Sequence, residues 1–303
     1  MMAKVLVVGS MNMDLVVRVP HSPRPGETVL GGDFETFPGG KGANQAVAAA
    51  RMGGEVTMVG RVGSDNFGDT LIQGLVEDNI RTTYVIKDTD TPTGIAMIAV
   101  AANGENSIVV ASGANYKVTE ADVTNARDIM RDTDLLLLQL ECPMEVVTAA
   151  VNLAKAYDIP VVLNPAPAQS LSQSLLANVD ILTPNETELM MLAGEDTVDK
   201  AVEKVLSWGT KNLVVTLGAN GARVVTGGVD KHIPAHEITA VDTTAAGDAF
   251  NGALAVAYAE GKPLLEAVEY GMAAGALAAT RRGAQPSLPT REAVENLIKS
   301  SHI

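Results

Sequence analysis

Two aspartates, Asp242 and Asp248, bracket the small residues of "AVDTTAAGDAFNGAL". Phe250, Leu254, Ala257 and Tyr258 follow at helical spacing, and Gly261 with Pro263 closes the pattern, so a helix begins near Ala245–Gly247. Side chains there are a methyl group or nothing, which leaves the unpaired N–H groups of the helix start open to a ligand. Ala245, Ala246 and Gly247 thus form a candidate anion hole. Asp248 falls in the first turn, where the helix dipole favours its ionised form. A carboxylate beside an anion hole is what phosphoryl transfer to an alcohol requires: a base for the hydroxyl proton, and donors for charge on the transferring group. A carboxylate that only stabilises the helix start has the same local sequence.

A second candidate is "FPGGKGANQAVAAARMG", where Gly40, Lys41 and Asn44 stand directly before or within the first turn of a helix pattern. Glycine backbone, a mobile cation and a helix dipole suit an anion or a polyhydroxyl ligand, or else a close-packed turn. The GxxxxGK[ST] spacing of a P-loop is absent, and no GxGxxG follows the first strand pattern, which argues against a nicotinamide cofactor.

The elements that must position these groups alternate. Strand patterns at Lys4–Gly9, Glu55–Gly60, Asp134–Leu140, Pro160–Leu163, Val179–Leu182 and Asn212–Leu217 are separated by helix patterns at Gly42–Met52, Asp65–Asn79, Thr119–Arg131, Pro143–Tyr157 and Asn185–Ala193. From Ala245 onward the chain is almost all helix. This predicts one α/β domain over residues 1–303, a doubly wound, mostly parallel sheet flanked by helices. Period-two segments at about 14–37 and 93–112, the latter with a turn at Asn103-Gly104, interrupt the alternation and predict a small antiparallel β lid.

Ligands of such sheets bind beyond the carboxyl ends of the strands, and four ends carry polar or glycine-rich sequence: Asn12 and Asp14, Glu141, "TPNETE", and "TLGANG". Asn12 and Asp14 also suit a turn, Glu141 a cap for the following helix, and Asn185 with Glu188 a capping box. Capping and anion binding are compatible roles for one helix start.

Bulk properties exclude several classes. With 22 Lys+Arg against 36 Asp+Glu the net charge is −14, and no basic run tracks a phosphate backbone, so nucleic acid is not an expected partner. No apolar run reaches membrane-spanning length and the N-terminus lacks a signal pattern, so a cytoplasmic protein is expected. Cys142 is the one cysteine and reads as a small buried residue; His232 and His236, separated by Pro234, read as loop residues rather than metal ligands.

Together "GGKGANQAVAAARMG" and "DTTAAGDAFNGAL", with "NPAPA", "TPNETE", "TLGANG" and "RRGAQPS" in order between and after them, resemble the ribokinase/PfkB family of sugar kinases over essentially the whole chain. The resemblance implies ATP-dependent phosphorylation of a sugar, D-ribose at O5 foremost, with deoxyribose, fructose or a nucleoside as alternatives and a non-catalytic sugar-binding regulator as a third. It implies Asp248 as the base and Ala245, Ala246 and Gly247 as phosphoryl donors. Asn12, Asp14, Gly40, Lys41, Asn44 and Glu141 would hold the sugar, and Asn185, Thr216, Gly218, Ala219, Gly221 and Gly247 would line ATP. Glu188 would order Mg²⁺ through water. Asp242, Thr244, Ala278, Arg281, Gly283 and Ser287 would surround K⁺. Many relatives carry glycine where this chain has Ala245, which is read here as compatible with ordinary helical angles. Exposed edges on the lid strands near Val16 and Ile95 would pair two copies into a homodimer.

Overall fold

The computed structural model describes residues 2–301. Its strands are β1 (Lys4–Val8), β2 (Asn12–Val19), β3 (Phe34–Gly39), β4 (Glu55–Gly63), β5 (Arg81–Asp88), β6 (Gly94–Ala101), β7 (Asn106–Ala111), β8 (Leu135–Leu138), β9 (Val161–Leu163), β10 (Ile181–Leu182), β11 (Asn212–Thr216), β12 (Ala222–Thr226) and β13 (Val229–Ile233). Nine of them form one sheet in the order β13-β12-β11-β10-β9-β8-β1-β4-β5, parallel from β11 to β5. Both faces are covered, which is why β1 and β8 read as unbroken apolar runs. Strand alternation divides these runs between two cores. Val5, Val7, Leu135 and Leu137 pack with the helices Lys41–Arg51, Ala246–Ala259 and Leu264–Ala279, whereas Leu6, Val8, Leu136 and Leu138 face the Met144–Ala156 and Val198–Ser207 side.

The remaining four strands form the lid, in the order β3-β2-β6-β7. Its outer pairs are antiparallel, and the central pair β2-β6 runs parallel. The reason is topological: β2 follows β1 and β6 follows β5, so both leave the carboxyl edge of one parallel sheet in the same direction. Val16 and Ile95 therefore lie on the two inner strands, and the free edges are those of β3 and β7. The stretch before Phe34, expected as strand from Gly26, is irregular, since its glycines weaken any ladder.

Other differences have local causes. The Thr119–Arg131 pattern is two short helices, Glu120–Asn125 and Arg127–Arg131, the first opened by a Thr119/Asp122 capping box. The hairpin β12-β13 and the edge strand β5 are more polar than the central strands and carried no clear pattern, so His232 lies in β13 rather than in a loop. Cys142 is buried, and burial pushes its thiol up to about 12. Among the described residues no helix is long and apolar enough to cross a membrane, and no group of His, Cys, Asp and Glu is arranged to hold a metal.

Candidate active site

The sugar candidates converge from three elements. Gly40 precedes the Lys41–Arg51 helix at φ 87°, and a Cβ there would lie 2.6 Å from the Asn12 backbone nitrogen, so glycine is required for both its dihedral and its space. Glu141, beyond β8, does not cap the helix that follows it; Pro143 occupies that position without a side-chain bond. Its Oε2 instead accepts from the Ser10 hydroxyl at 2.5 Å and from the Lys41 N–H at 3.1 Å, tying the lysine-bearing helix start to the end of β1. Asn12 and Asp14 lie on β2 rather than in a turn, both buried. Asn115, which the sequence did not single out, donates from Nδ2 to Asn12 Oδ1 at 2.7 Å and accepts from the Met11 N–H at 2.8 Å, which fixes the Asn12 amide.

Four carboxyls and one ammonium share this region. Burial, with Glu141 and Asp248 nearby, pushes the Asp14 carboxyl up to about 7. Burial alone would lower Lys41, but Asp248, Glu141 and Glu188 outweigh it and hold the ammonium above its ordinary value. Among the described residues Asn44 Oδ1 is buried without a hydrogen-bond partner, an unused acceptor beside Asp248. Lid residues and the Asp242 and Gly283 loops line a cleft of about 1010 Å³ that includes Asp14 but not Asn12, Lys41, Asn44, Glu141 or Asp248.

Asp248 is buried in the first turn of the Ala246–Ala259 helix. Its Oδ2 accepts from Asn44 Nδ2 at 2.9 Å and its Oδ1 from Gln45 Nε2 at 3.0 Å. Burial raises its pKa, with Glu141 adding to the rise, against Lys41 and the two amide donors. A desolvated carboxylate steadied by amides is suited to accept a proton.

The anion-hole loop differs from expectation in two respects. Ala245 adopts φ 58° and ψ 9°, the left-handed region, not helical angles. Alanine there costs about 1–2 kcal/mol relative to the right-handed form, a strain that glycine would not carry. The Ala246 N–H, one of three expected donors, is taken by the Thr243 carbonyl at 3.2 Å in the turn this conformation closes. Among the described residues the Gly247 N–H at the helix start has no protein partner, and apart from its chain neighbours and its own helix backbone no heavy atom lies within 4 Å of the space a Gly247 Cβ would fill.

Asn185 and Glu188 form the predicted capping box: Glu188 N–H donates to Asn185 Oδ1 at 2.8 Å, and Asn185 N–H to Glu188 Oε2 at 2.9 Å. Burial pushes Glu188 up. Asn185 bridges to Thr216, the last residue of β11, and the loop continues through Gly218 and Ala219 to Gly221. Gly221 has φ 96°, and a Cβ would lie 2.0 Å from the Ile233 carbonyl oxygen. These strand ends are thus adjacent, as the two candidate nucleotide segments require.

Asp242 Oδ1 accepts from the Thr244 N–H at 2.9 Å and the Thr244 hydroxyl at 2.6 Å, while Oδ2 accepts from the Gly283 N–H at 3.0 Å. Burial works against ionisation there, but these bonds hold Asp242 below its ordinary value. Asp242, Thr244 and Gly283 are therefore in one place. The Ala278 carbonyl is used by the Arg281 N–H at 3.1 Å, and the buried Ser287 hydroxyl donates to the Ala284 carbonyl at 2.7 Å, so the outer members of the expected K⁺ set are engaged in turns of their own.

A buried carboxylate in the first turn of a helix, steadied by two amides, is the arrangement expected of a phosphotransferase with an alcohol acceptor. The family model for pfkB family carbohydrate kinases matches residues 2–291. The chain is 44% identical over 291 residues to the ribokinase of Haemophilus influenzae, covering 94% of this chain and 95% of that one. It is 39% identical over 294 residues to the deoxyribokinase of Salmonella typhi, covering 95% and 96%. The structure of Arabidopsis thaliana ribokinase complexed with ribose and ATP superposes with a TM-score of 0.89 at 34% identity, covering 99% of each chain. The chain belongs to the pfkB family of carbohydrate kinases.

Proposed function

We propose that this protein transfers the γ-phosphoryl group of ATP to the O5 hydroxyl of D-ribose. The observation that carries this reading is Asp248, buried, steadied by Asn44 and Gln45, and set beside the free Gly247 N–H. The sugar's primary hydroxyl donates its proton to Asp248 as the oxygen attacks the γ-phosphorus in line. Gly247 N–H and the Lys41 ammonium stabilise charge on the transferring group. Asn12, Asp14, Asn44 and Glu141 hold the other hydroxyls, a task for short amides and carboxylates that accept or donate at fixed geometry. The loop from Thr216 to Gly221 receives the nucleotide. Mg²⁺, bound with the phosphates, supplies charge neutralisation; Asn185 and Glu188 would order its waters.

Deoxyribose is the nearest alternative, and the buried polar set supports ribose over it, since losing a hydroxyl leaves one of these groups unpaired. A nucleoside needs apolar surface for its base, and the chain has four Phe and one Trp. Turnover across pentoses, deoxypentoses, hexoses and nucleosides tests the assignment: ribose is expected to give the highest kcat/KM. Faster phosphorylation of deoxyribose would transfer the assignment to that sugar.

The bridge from Asp242 to Gly283 supports a monovalent-cation site formed by Asp242, Thr244 and Gly283 with neighbouring carbonyls. Carbonyl ligation favours K⁺ over Na⁺. K⁺ added to a tetramethylammonium buffer is expected to raise activity, and Asp242→Ala to abolish that response; equal rates with and without K⁺ would remove the ion from the account. The β7 edge, exposed throughout and carrying Ile108, Val109 and Val110, supports a homodimer through the lid. An ATP-dependent sugar kinase of this kind works in the cytoplasm.

A further inference from the structure

Three neighbouring strands, β8, β9 and β10, are each followed at once by a buried polar residue: Gln139, Asn164 and Thr183. All three lead to Gln45, which is 0% exposed on the Lys41–Arg51 helix, or to the helix that carries Asp248. Gln139 Nε2 donates to Gln45 Oε1 at 2.6 Å. Gln45 Nε2 donates both to Asp248 Oδ1 at 3.0 Å and to Asn164 Oδ1 at 3.2 Å. Asn164 Nδ2 donates to the Thr183 carbonyl at 3.0 Å; the Thr183 hydroxyl donates to Asn251 Oδ1 at 2.6 Å, and Asn251 Nδ2 to the Gly247 carbonyl at 2.8 Å.

We propose that Gln45 is a positioning residue for the phosphoryl transfer, aiming the Asp248 carboxylate, and that the amide chain behind it ties that carboxylate to the anion-hole loop. The chain has one consistent polarity. Turning the Gln45 amide over would set its oxygen against the Asp248 carboxylate and Asn164 Oδ1, and its nitrogen against Gln139 Nε2. Gln45 therefore faces Asp248 with a donor only, occupying Oδ1. Asn44 meets Oδ2, and the carboxylate plane is fixed between two amides from consecutive residues of one helix. At its far end the same chain grips the carbonyl of Gly247, whose N–H faces the phosphoryl position, so base and anion hole are held in one frame. Buried chains of this kind are costly to leave half-made, which makes each member's orientation depend on the others.

The inference rests on Asp248 being the base, and the test separates the two. In Gln45→Met, close in shape but without a donor, kcat for ribose is expected to fall about 10–100-fold, the effect of a misaimed catalytic group, with ribose KM changed less than about threefold. The acid limb of kcat against pH should move upward by about one unit, because a hydrogen bond to the ionised carboxylate is lost. The other charged groups that face Asp248 remain: Lys41 on the helix of Gln45, Glu141 beyond β8, Asp14 on β2 and Glu188 on the Glu186–Ala193 helix. Gln139→Met, whose hydrogen bond goes to Gln45 and not to Asp248, should shift both readouts in the same direction by less, and serves if the first variant fails to fold. A kcat and acid limb like those of the unmodified protein in these variants, with Asp248→Asn inactive, would overturn the positioning role alone. Full turnover by Asp248→Asn would overturn the base assignment and this inference with it.

Discussion

Replacing Asp248 by Asn lowers kcat by about 10²–10⁴-fold, the usual worth of a general base, and leaves sugar affinity within a few-fold. Asparagine keeps the shape but cannot take the hydroxyl proton. It also places an N–H where two donors, Asn44 Nδ2 and Gln45 Nε2, already point. Asn44 can relieve that conflict by turning its amide over, since its Oδ1 has no partner to lose. The variant is therefore expected to fold and to bind ribose, which a calorimetric titration beside the steady-state kinetics would establish. A kcat close to that of the unmodified protein would remove Asp248 from the chemistry.

The second large effect concerns Asp14. Its replacement by Ala is expected to weaken ribose binding by about 5–150-fold, the cost of leaving a hydroxyl unpaired in a buried site at roughly 1–3 kcal/mol, while ATP affinity is unchanged. Unaltered ribose affinity by calorimetry would mean that the sugar lies elsewhere. Asp14 also sets a pH dependence. Burial and its acidic neighbours push its carboxyl up from 3.8 to about 7, so the folded protein binds a proton that the unfolded chain has already released. Its contribution to stability is present below the unfolded value and lost as pH rises through about 7. Asp14→Asn removes the carboxyl that must ionise while buried, so its Tm should gain on that of the unmodified protein as pH rises from about 4 to about 7, with no further gain above that. A constant difference across that range would contradict the raised pKa.

The sequence was most legible where one segment carries both the element and the chemistry. Asp248 could be placed in the first turn of its helix because the apolar spacing and the small residues before it lie side by side, and the Asn185/Glu188 capping box is a local pattern for the same reason. Glu141 was less legible: its nearest helix offered a capping role, but its partners, Ser10 and the Lys41 N–H, come from distant segments. Gln139, Asn164 and Thr183 escaped notice as a set because only the sheet order makes their strands neighbours. A lone Gln in an otherwise apolar strand run was the signal available. The Ala245 conformation is not legible in the sequence because residue type favours helical angles there, whereas the structure closes a turn from the Ala246 N–H to Thr243 beside the Asp242 bonds and holds the left-handed form.

The most direct measurement is the identity of the product formed from ATP and D-ribose carrying ¹³C at C5, followed by ³¹P and ¹³C NMR. The account predicts ADP and a single phosphorylated sugar, with phosphorus coupling to the labelled C5 and no phosphate on any other oxygen. Phosphate on a different oxygen would mean that Asp248 does not face the primary hydroxyl. Binding of both ligands without any ADP would show a sugar-binding protein rather than a kinase.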